Sequence, residues 1–276
     1  MRIDLHSHST ASDGTEPPAE VMRRARAAGL DVIALTDHDT LAGHGEARAA
    51  LPPGLSLVPG LELSCRLDGH SIHLLGYHTD PAHPGLAAEL KAITTDRRRR
   101  GRDMVARLRE LGVGISWEQV AALAGDGVVG RPHIARAMVA AGAIADPAEA
   151  FTPEWIGAGG RAYVNRYALD PEQAVRLIRA TGGVSVLAHP AAPSRGWTIP
   201  DEAVARLAGA GLGGLEVSHP GHDHAQRLRL ASLAATLGLA ASGGSDDHGE
   251  LTGHRLGCET APPEAYEQLM SGVRRT

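Results

Sequence analysis

The sequence predicts an α/β fold built on a parallel sheet of about seven short strands and interrupted by a helical insertion. Three observations lead there. Short β-rich runs alternate with helical stretches over the first 82 residues, the sequence form of βαβ units. The same rhythm resumes near residue 163. Between them, residues 85–162 carry helical patterns and no convincing strand.

The strands are placed, in order, at Ile3 to Leu5, Val32 to Leu35, Leu55 to Leu63, Ile72 to Gly76, Val184 to Leu187, Gly214 to Val217 and Leu239 to Ala241. The first helix has Thr15 as its cap, Pro17 and Pro18 in its first turn, an apolar stripe of Val21, Met22, Ala25 and Ala28, and Gly29 at its end. Asp170-Pro171-Glu172 opens a later helix that Gly182 stops, Pro200-Asp201-Glu202 opens the next, and His224 to Leu237 forms another. The insertion reads as helices at Leu86 to Leu111, Trp117 to Leu123 and His133 to Ala141. Two domains are therefore expected: a discontinuous one of residues 1–84 and 163–276, and the helical insertion 85–162.

Composition narrows the chemistry. The 276 residues include 15 His but only 2 Cys and a single Lys, Lys91. Cys65 and Cys258 form no C-x-x-C pair, so neither a thiolate zinc site nor a disulfide framework is expected; both read as small buried apolar residues in a reducing compartment. Lys91 lies in a polar helical stretch beside Arg97–Arg100, which excludes Schiff-base and phosphate-loop lysine chemistry. That arginine run, continued by Arg102, reads as a solvated helix surface, because consecutive helical residues point around the circumference. A net charge of −5 gives no footprint for stable binding of duplex nucleic acid. The N-terminus lacks the apolar run of a signal peptide and no window of 18 apolar residues occurs, so a cytoplasmic protein without membrane contact is expected; no protein partner is indicated.

The histidines fall in a pattern. His6 and His8 close the first strand, His38 the second, Glu62 lies near the end of the third and His73 within the fourth. His189 closes the fifth, His219 the sixth, and Asp246 with His248 follow the seventh. In a parallel barrel the C-terminal strand ends open on one face, so these side chains can converge on one pocket. An H-x-H pair on a strand points both imidazoles to the same side. Imidazole and carboxylate without thiolate suit Mn, Fe or Zn in an open site. Two or more ions roughly 3.5–4 Å apart would clamp a phosphoryl group and acidify a bridging water, which points to metal-assisted phosphoester hydrolysis.

Six segments then carry a family resemblance: D-L-H-S-H-S-T-A-S-D-G (Asp4 to Gly14), A-L-T-D-H-D-T (Ala34 to Thr40), P-G-L-E-L-S (Pro59 to Ser64), H-L-L-G-Y (His73 to Tyr77), L-A-H-P (Leu187 to Pro190) and G-S-D-D-H (Gly244 to His248). In this order they resemble the PHP, or polymerase and histidinol phosphatase, superfamily. The resemblance implies a distorted seven-stranded (βα)7 barrel of the TIM-like kind holding three divalent ions, Mn²⁺ foremost, with Fe²⁺ or Zn²⁺ as alternatives. It implies His6, His8, Glu62 and Asp246 at the first ion. Glu62 would bridge to a second completed by His73 and His189, and Asp13, His38 and His248 would hold the third. Glu62, Asp246 and His189 are the residues expected at the catalytic centre, around a metal-bridging hydroxide. Asp37 and Asp39 are expected to orient their neighbour His38.

Within the superfamily, the insertion and G-R-P-H-I-A-R-A-M (Gly130 to Met138) resemble the branch of nucleoside 3',5'-bisphosphate phosphatases and 5'-3' exonucleases, as do E-A-F (Glu149 to Phe151), A-Y-V (Ala162 to Val164) and E-V-S-H-P-G-H (Glu216 to His222). Arg131, His133, His219 and His222 are the expected substrate contacts; an arginine fork suits a phosphate. Arg195 is given no such role, because the spacing after His189-Pro190 departs from the branch. The expected reaction converts a nucleoside 3',5'-bisphosphate to the 5'-monophosphate. The alternative is 5'-3' exonuclease action on short RNA or DNA. An amidohydrolase ranks below both, since Lys91 is at no strand end, and a non-catalytic metal or nucleotide sensor ranks below because all nine candidate ligands are present.

Overall fold

In the computed structural model, which describes residues 1–192 and 197–274, seven strands form one sheet in chain order: β1 (Ile3–Asp4), β2 (Val32–Leu35), β3 (Ser56–Leu67), β4 (His70–Tyr77), β5 (Val184–Leu187), β6 (Gly214–Ser218) and β7 (Ala240–Gly243). The first and last strands approach each other. Leu5 N donates to Gly243 O at 3.2 Å and His8 N to Asp247 O at 2.9 Å, so the sheet curls into a nearly closed barrel. Every residue of β2 (VIAL) and β5 (VSVL) is buried, as expected of strands covered by the barrel interior on one face and helices on the other. Arg195 lies outside the described residues.

The sheet departs from the all-parallel expectation at β4, which runs antiparallel to both β3 and β5. The reason is local. Leu67 pairs with His70 across Asp68 and Gly69, whose φ values of 48° and 83° make the two-residue turn whose twist suits a hairpin. As a consequence β3 runs four residues past the expected end at Leu63, so Glu62 sits inside its strand and not near its end, while His73 lies within β4 as expected.

The helices, in chain order, are α1 (Pro18–Ala27), α2 (His44–Ala49), α3 (Pro84–Glu110), α4 (Trp117–Ala124), α5 (Arg131–Ala140), α6 (Pro171–Ala180), α7 (Asp201–Ala210), α8 (His224–Leu237) and α9 (Pro263–Ser271). Pro17, not Thr15, is the N-cap residue of α1, and it makes no side-chain capping bond. Thr15 instead ties the loop after β7, with its hydroxyl accepting from Glu250 N at 2.8 Å. Asp170 caps α6 by accepting from Gln173 N.

Two compact units make up the chain: Met1–Ala88 with Ala168–Thr276, and Glu89–Tyr167. The first is the barrel, filled by side chains such as Ile3, Leu5, Leu75, Tyr77 and Val186. The second has its own core of Met104, Leu108, Val120, Ile134, Met138, Ala150 and Ile156, gathered from α3, α4, α5, a 3₁₀ segment at Pro147–Phe151 and the turn after it. Cys65 is buried, whereas Cys258 is exposed, contrary to expectation. No helix among the described residues is long and apolar enough to cross a membrane.

Candidate metal centre

One buried carboxylate organises the barrel mouth. Among the described residues, five imidazole nitrogens approach the oxygens of Glu62: His73 Nδ1 at 2.6 Å and His189 Nε2 at 2.9 Å on Oε1, with His38 Nδ1 at 3.1 Å, His8 Nε2 at 3.2 Å and His6 Nε2 at 3.3 Å on Oε2. Asp246 Oδ1 faces the same nitrogens of His6 and His8 at 3.4 and 3.3 Å. A third carboxylate, Asp13, lies 3.4 Å from His248 Nε2 and 3.8 Å from His38 Nε2.

The residues thus gather into three overlapping sets. His6, His8, Glu62 and Asp246 form one; His8, Asp13, His38 and His248 another; His38, Glu62 and His73 the third. All nine residues carrying the resemblance are in these sets or, for His189, against Glu62. His8 and His38 face two sets each, which strand-end position alone does not predict.

The donor set fits divalent cations. Among the described residues, His6 Nε2 and both ring nitrogens of His8 are fully buried and have no hydrogen bond of good geometry. Buried polar atoms are almost always satisfied, so nitrogens orphaned beside carboxylate oxygens mark a place for a cation. Burial opposes charge on His6, His8, Asp13, Glu62 and Asp246, yet opposite charges win at all five. The His8 ring is pushed up to about 10 by Asp246 and Glu62 against its burial, and Glu216, Asp246 and Glu62 hold His6 well above the usual imidazole range. Glu62, Asp246 and Asp13 are held well below theirs by the surrounding histidines, again against burial.

Local sequence explains the placement. Asp37 and Asp39 flank His38, and each carboxylate locks a neighbouring segment. Asp37 accepts from Ser9 N, Ser9 Oγ and Ser12 Oγ at 2.7–2.8 Å, fixing the loop that carries Asp13. Asp39 accepts from Ser64 N and Oγ, tying the end of β2 to β3. Gly244 is needed beside His6, since a Cβ there would stand 2.5 Å from His6 Cβ. His189, Asp246 and Asp39 have φ values of 30°, 48° and 55°, a conformation that costs non-glycine residues about 1–3 kcal/mol and tends to collect at functional sites.

Of the expected substrate contacts, His219 Nε2 lies 3.2 Å from Asp246 Oδ2, while its Nδ1 accepts from Gly221 N. Both ring nitrogens of His222 engage backbone: Nδ1 donates to Val217 O and Nε2 accepts from Ala191 N. His222 therefore holds two loops together and has no nitrogen left for a substrate. Arg131 and His133 belong to the second unit. His133 Nδ1 accepts from Gly130 N at the start of α5, and the Arg131 guanidinium lies 5.3 Å above the Phe151 ring.

The arginine run is not uniformly solvated. Arg98, Arg99 and Arg102 are exposed, but Arg97 and Arg100, three apart on one helix face, are 9% and 6% exposed. With Arg131 they line a small pocket completed by Gly101, Met104, Val129, Gly130 and Ile134, none of them acidic. Burial and the neighbouring Arg131, Arg97 and Arg166 lower the Arg100 guanidinium to about 9.

Sequence reasoning missed two participants. Arg255 donates to the Asp246 carbonyl at 2.8 Å, and Glu216, fully buried on β6, accepts from His6 Nδ1 at 3.0 Å. A signal for Glu216 was present as an acidic residue inside an apolar strand. His44 binds backbone, with Nε2 donating to Gly60 O at 2.7 Å.

A model of the PHP domain matches residues 4–111. A 5'-3' exoribonuclease of Haemophilus influenzae is 36% identical over 248 residues, 90% of this chain and 90% of the relative. The chain belongs to the PHP family. This PHP protein is also 36% identical over 255 residues to a 3',5'-nucleoside bisphosphate phosphatase of Chromobacterium violaceum, covering 92% of this chain and 89% of the other. A solved structure from Bifidobacterium adolescentis, assigned to the metal-dependent phosphoesterases, superposes with a TM-score of 0.94 at 33% identity, covering 99% of this chain and 96% of that one. The PHP protein is a hydrolase of phosphoester bonds.

Proposed function

We propose that this enzyme removes one phosphate from a nucleoside 3',5'-bisphosphate to leave the 5'-monophosphate, using three divalent ions in the barrel, Mn²⁺ by preference, with the second unit selecting the substrate. The observation that carries the choice of substrate is the compact pocket of Arg97, Arg100 and Arg131. Three guanidinium groups around one small cavity suit a single phosphate that keeps its charge, whereas a nucleic-acid backbone calls for an extended track.

His6, His8, Glu62 and Asp246 would hold the first ion, Glu62, His73 and His189 the second, and Asp13, His38 and His248 the third. Divalent ions there supply Lewis acidity toward phosphoryl oxygens and a water acidified toward neutral pH. The chain's residues supply the rest. Glu62 directs its two oxygens to different sets of imidazoles, which would suit it to hold two ions at once. His219, whose Nδ1 accepts from Gly221 N, carries its proton on Nε2 at the Asp246 edge and can donate it to a substrate oxygen. Arg131 and Arg100 bind the phosphate that is retained, and His133 orients the first turn of α5 beside them. A cytoplasmic setting suits both the substrate and the free thiols of Cys65 and Cys258.

The second reading, 5'-3' exonuclease action on short oligonucleotides, is favoured by the name of the Haemophilus influenzae relative. Phosphate release from 3',5'-bisphosphates and mononucleotide release from 5'-phosphorylated oligonucleotides, measured side by side in Mn²⁺ on protein of known metal content, separates the two. Turnover of oligonucleotides alone defeats the bisphosphate reading.

A further inference from the structure

Beneath the metal centre lies a carboxylate that is not one of the nine candidate ligands. Glu216 has no exposed surface, and β6 shifts register between Glu216 and Ser218, a bulge of the kind that re-aims a side chain. Its two oxygens do different work. Oε1 accepts from His6 Nδ1 at 3.0 Å, and Oε2 accepts from the backbone N–H of His189 at 2.6 Å.

Each bond settles something a metal site needs. A neutral imidazole has one N–H and one lone pair, so a proton held on His6 Nδ1 leaves the lone pair on Nε2, the atom facing Glu62 and Asp246. His189 sits at φ 30°, where few L-residues rest unaided, and the bond to its N–H anchors that backbone while its Nε2 faces Glu62. We propose that Glu216 is a positioning residue for two ions at once, setting the tautomer of His6 at the first and the backbone seat of His189 at the second. The proposal rests on the metal reading given above. It requires a carboxylate specifically: glutamine has one acceptor atom, so its NH₂ must face either the His6 N–H or the His189 N–H.

The test is metal loading of Glu216→Gln. Metal-stripped wild type and variant are reloaded with Mn²⁺, and the ions bound per chain are counted across a titration, alone and with His248→Ala to remove the third site. Glu216→Gln is expected to weaken two ions about 10- to 100-fold while one persists, and that one is expected to vanish in the double variant. Unchanged loading, weakening of one ion only, or equal weakening of all three overturns the proposal; the last is what mere loosening of the fold would produce. Should Glu216→Gln fail to fold, histidine ¹⁵N–¹H correlations of Zn²⁺-loaded wild type decide: a proton on His6 Nδ1 supports the assignment and one on Nε2 overturns it. Wild type that takes up no metal sinks the metal reading itself, an outcome distinct from intact wild-type loading with an indifferent variant.

Discussion

Charge accounts for each side chain at the barrel mouth. His8→Ala and Asp246→Ala each remove a donor from the first set, and both are expected to lose that ion and more than about 100-fold in kcat/KM, since even residues behind the ligands typically matter 10- to 100-fold. Unaltered turnover in either variant would remove the first site. The pH response has a definite sign. In metal-free protein His8 is raised from an ordinary value near 6.5 to about 10, so its stabilisation is complete below pH 6.5 and is lost as pH rises through 10. Glu62, Asp246 and Asp13 are depressed, so theirs is present above the ordinary carboxylate range and is lost in acid. Metal-free protein should therefore melt at progressively lower temperature between pH 6.5 and 10. Metal-loaded protein should gain on it over the same interval, because ions compete with the protons that those histidines hold. Melting curves of both forms across that range check the crossing trends, and parallel curves would refute them.

Strands and turns were legible in the sequence wherever pattern is local. The apolar runs of β2 and β5 and the proline and glycine signals around α1 and α6 reflect short-range chemistry, and they place these elements correctly. The direction of β4 was equally open to view: Asp68-Gly69 between two apolar runs is a hairpin signal, and assigning every strand to a parallel barrel obscured it. The motif residues gather at the barrel mouth because each motif fixes a side chain together with the backbone that carries it, although His8 and His38 each face two sets and His189 meets only Glu62. The arginine run misled for the opposite reason. Its sequence shows four like charges, whereas the helix divides them by face and buries Arg97 and Arg100. Which face is buried depends on partners distant in the chain, and no local pattern records it. At this scale Gly244→Ala makes a sharp test. Its new methyl would meet His6 Cβ at 2.5 Å and His6 N at 2.6 Å, so the variant should lose about 1–3 kcal/mol of stability and bind the first ion more weakly. Normal metal loading would show that His6 tolerates displacement.

In the proposed function the second unit selects the substrate, and stability and function should pull apart there. Arg100 is a buried cation among like charges, so Arg100→Met is expected to raise the melting temperature of substrate-free enzyme by about 2–4 °C while lowering kcat/KM for a bisphosphate about tenfold or more with metal content intact. Arg131→Ala should likewise spare the ions; metal loss in either variant would show the pocket misassigned. All nine candidate ligand residues lie in Met1–Ala88 or Ala168–Thr276. The reversed course of β4 has a bearing on this division. Because β4 pairs antiparallel with β5, Tyr77 opposite Val184, the end of one strand already adjoins the start of the next, and closing the sheet there requires no crossover. The second unit, Glu89–Tyr167, is therefore extra length within that connection, and lengthening a connection adds only about 0.6 kcal/mol per doubling. The barrel thus has a joint at which a whole module can be inserted, exchanged or trimmed without re-registering a strand. Lineages can retarget such an enzyme by grafting there while its metal chemistry is inherited untouched.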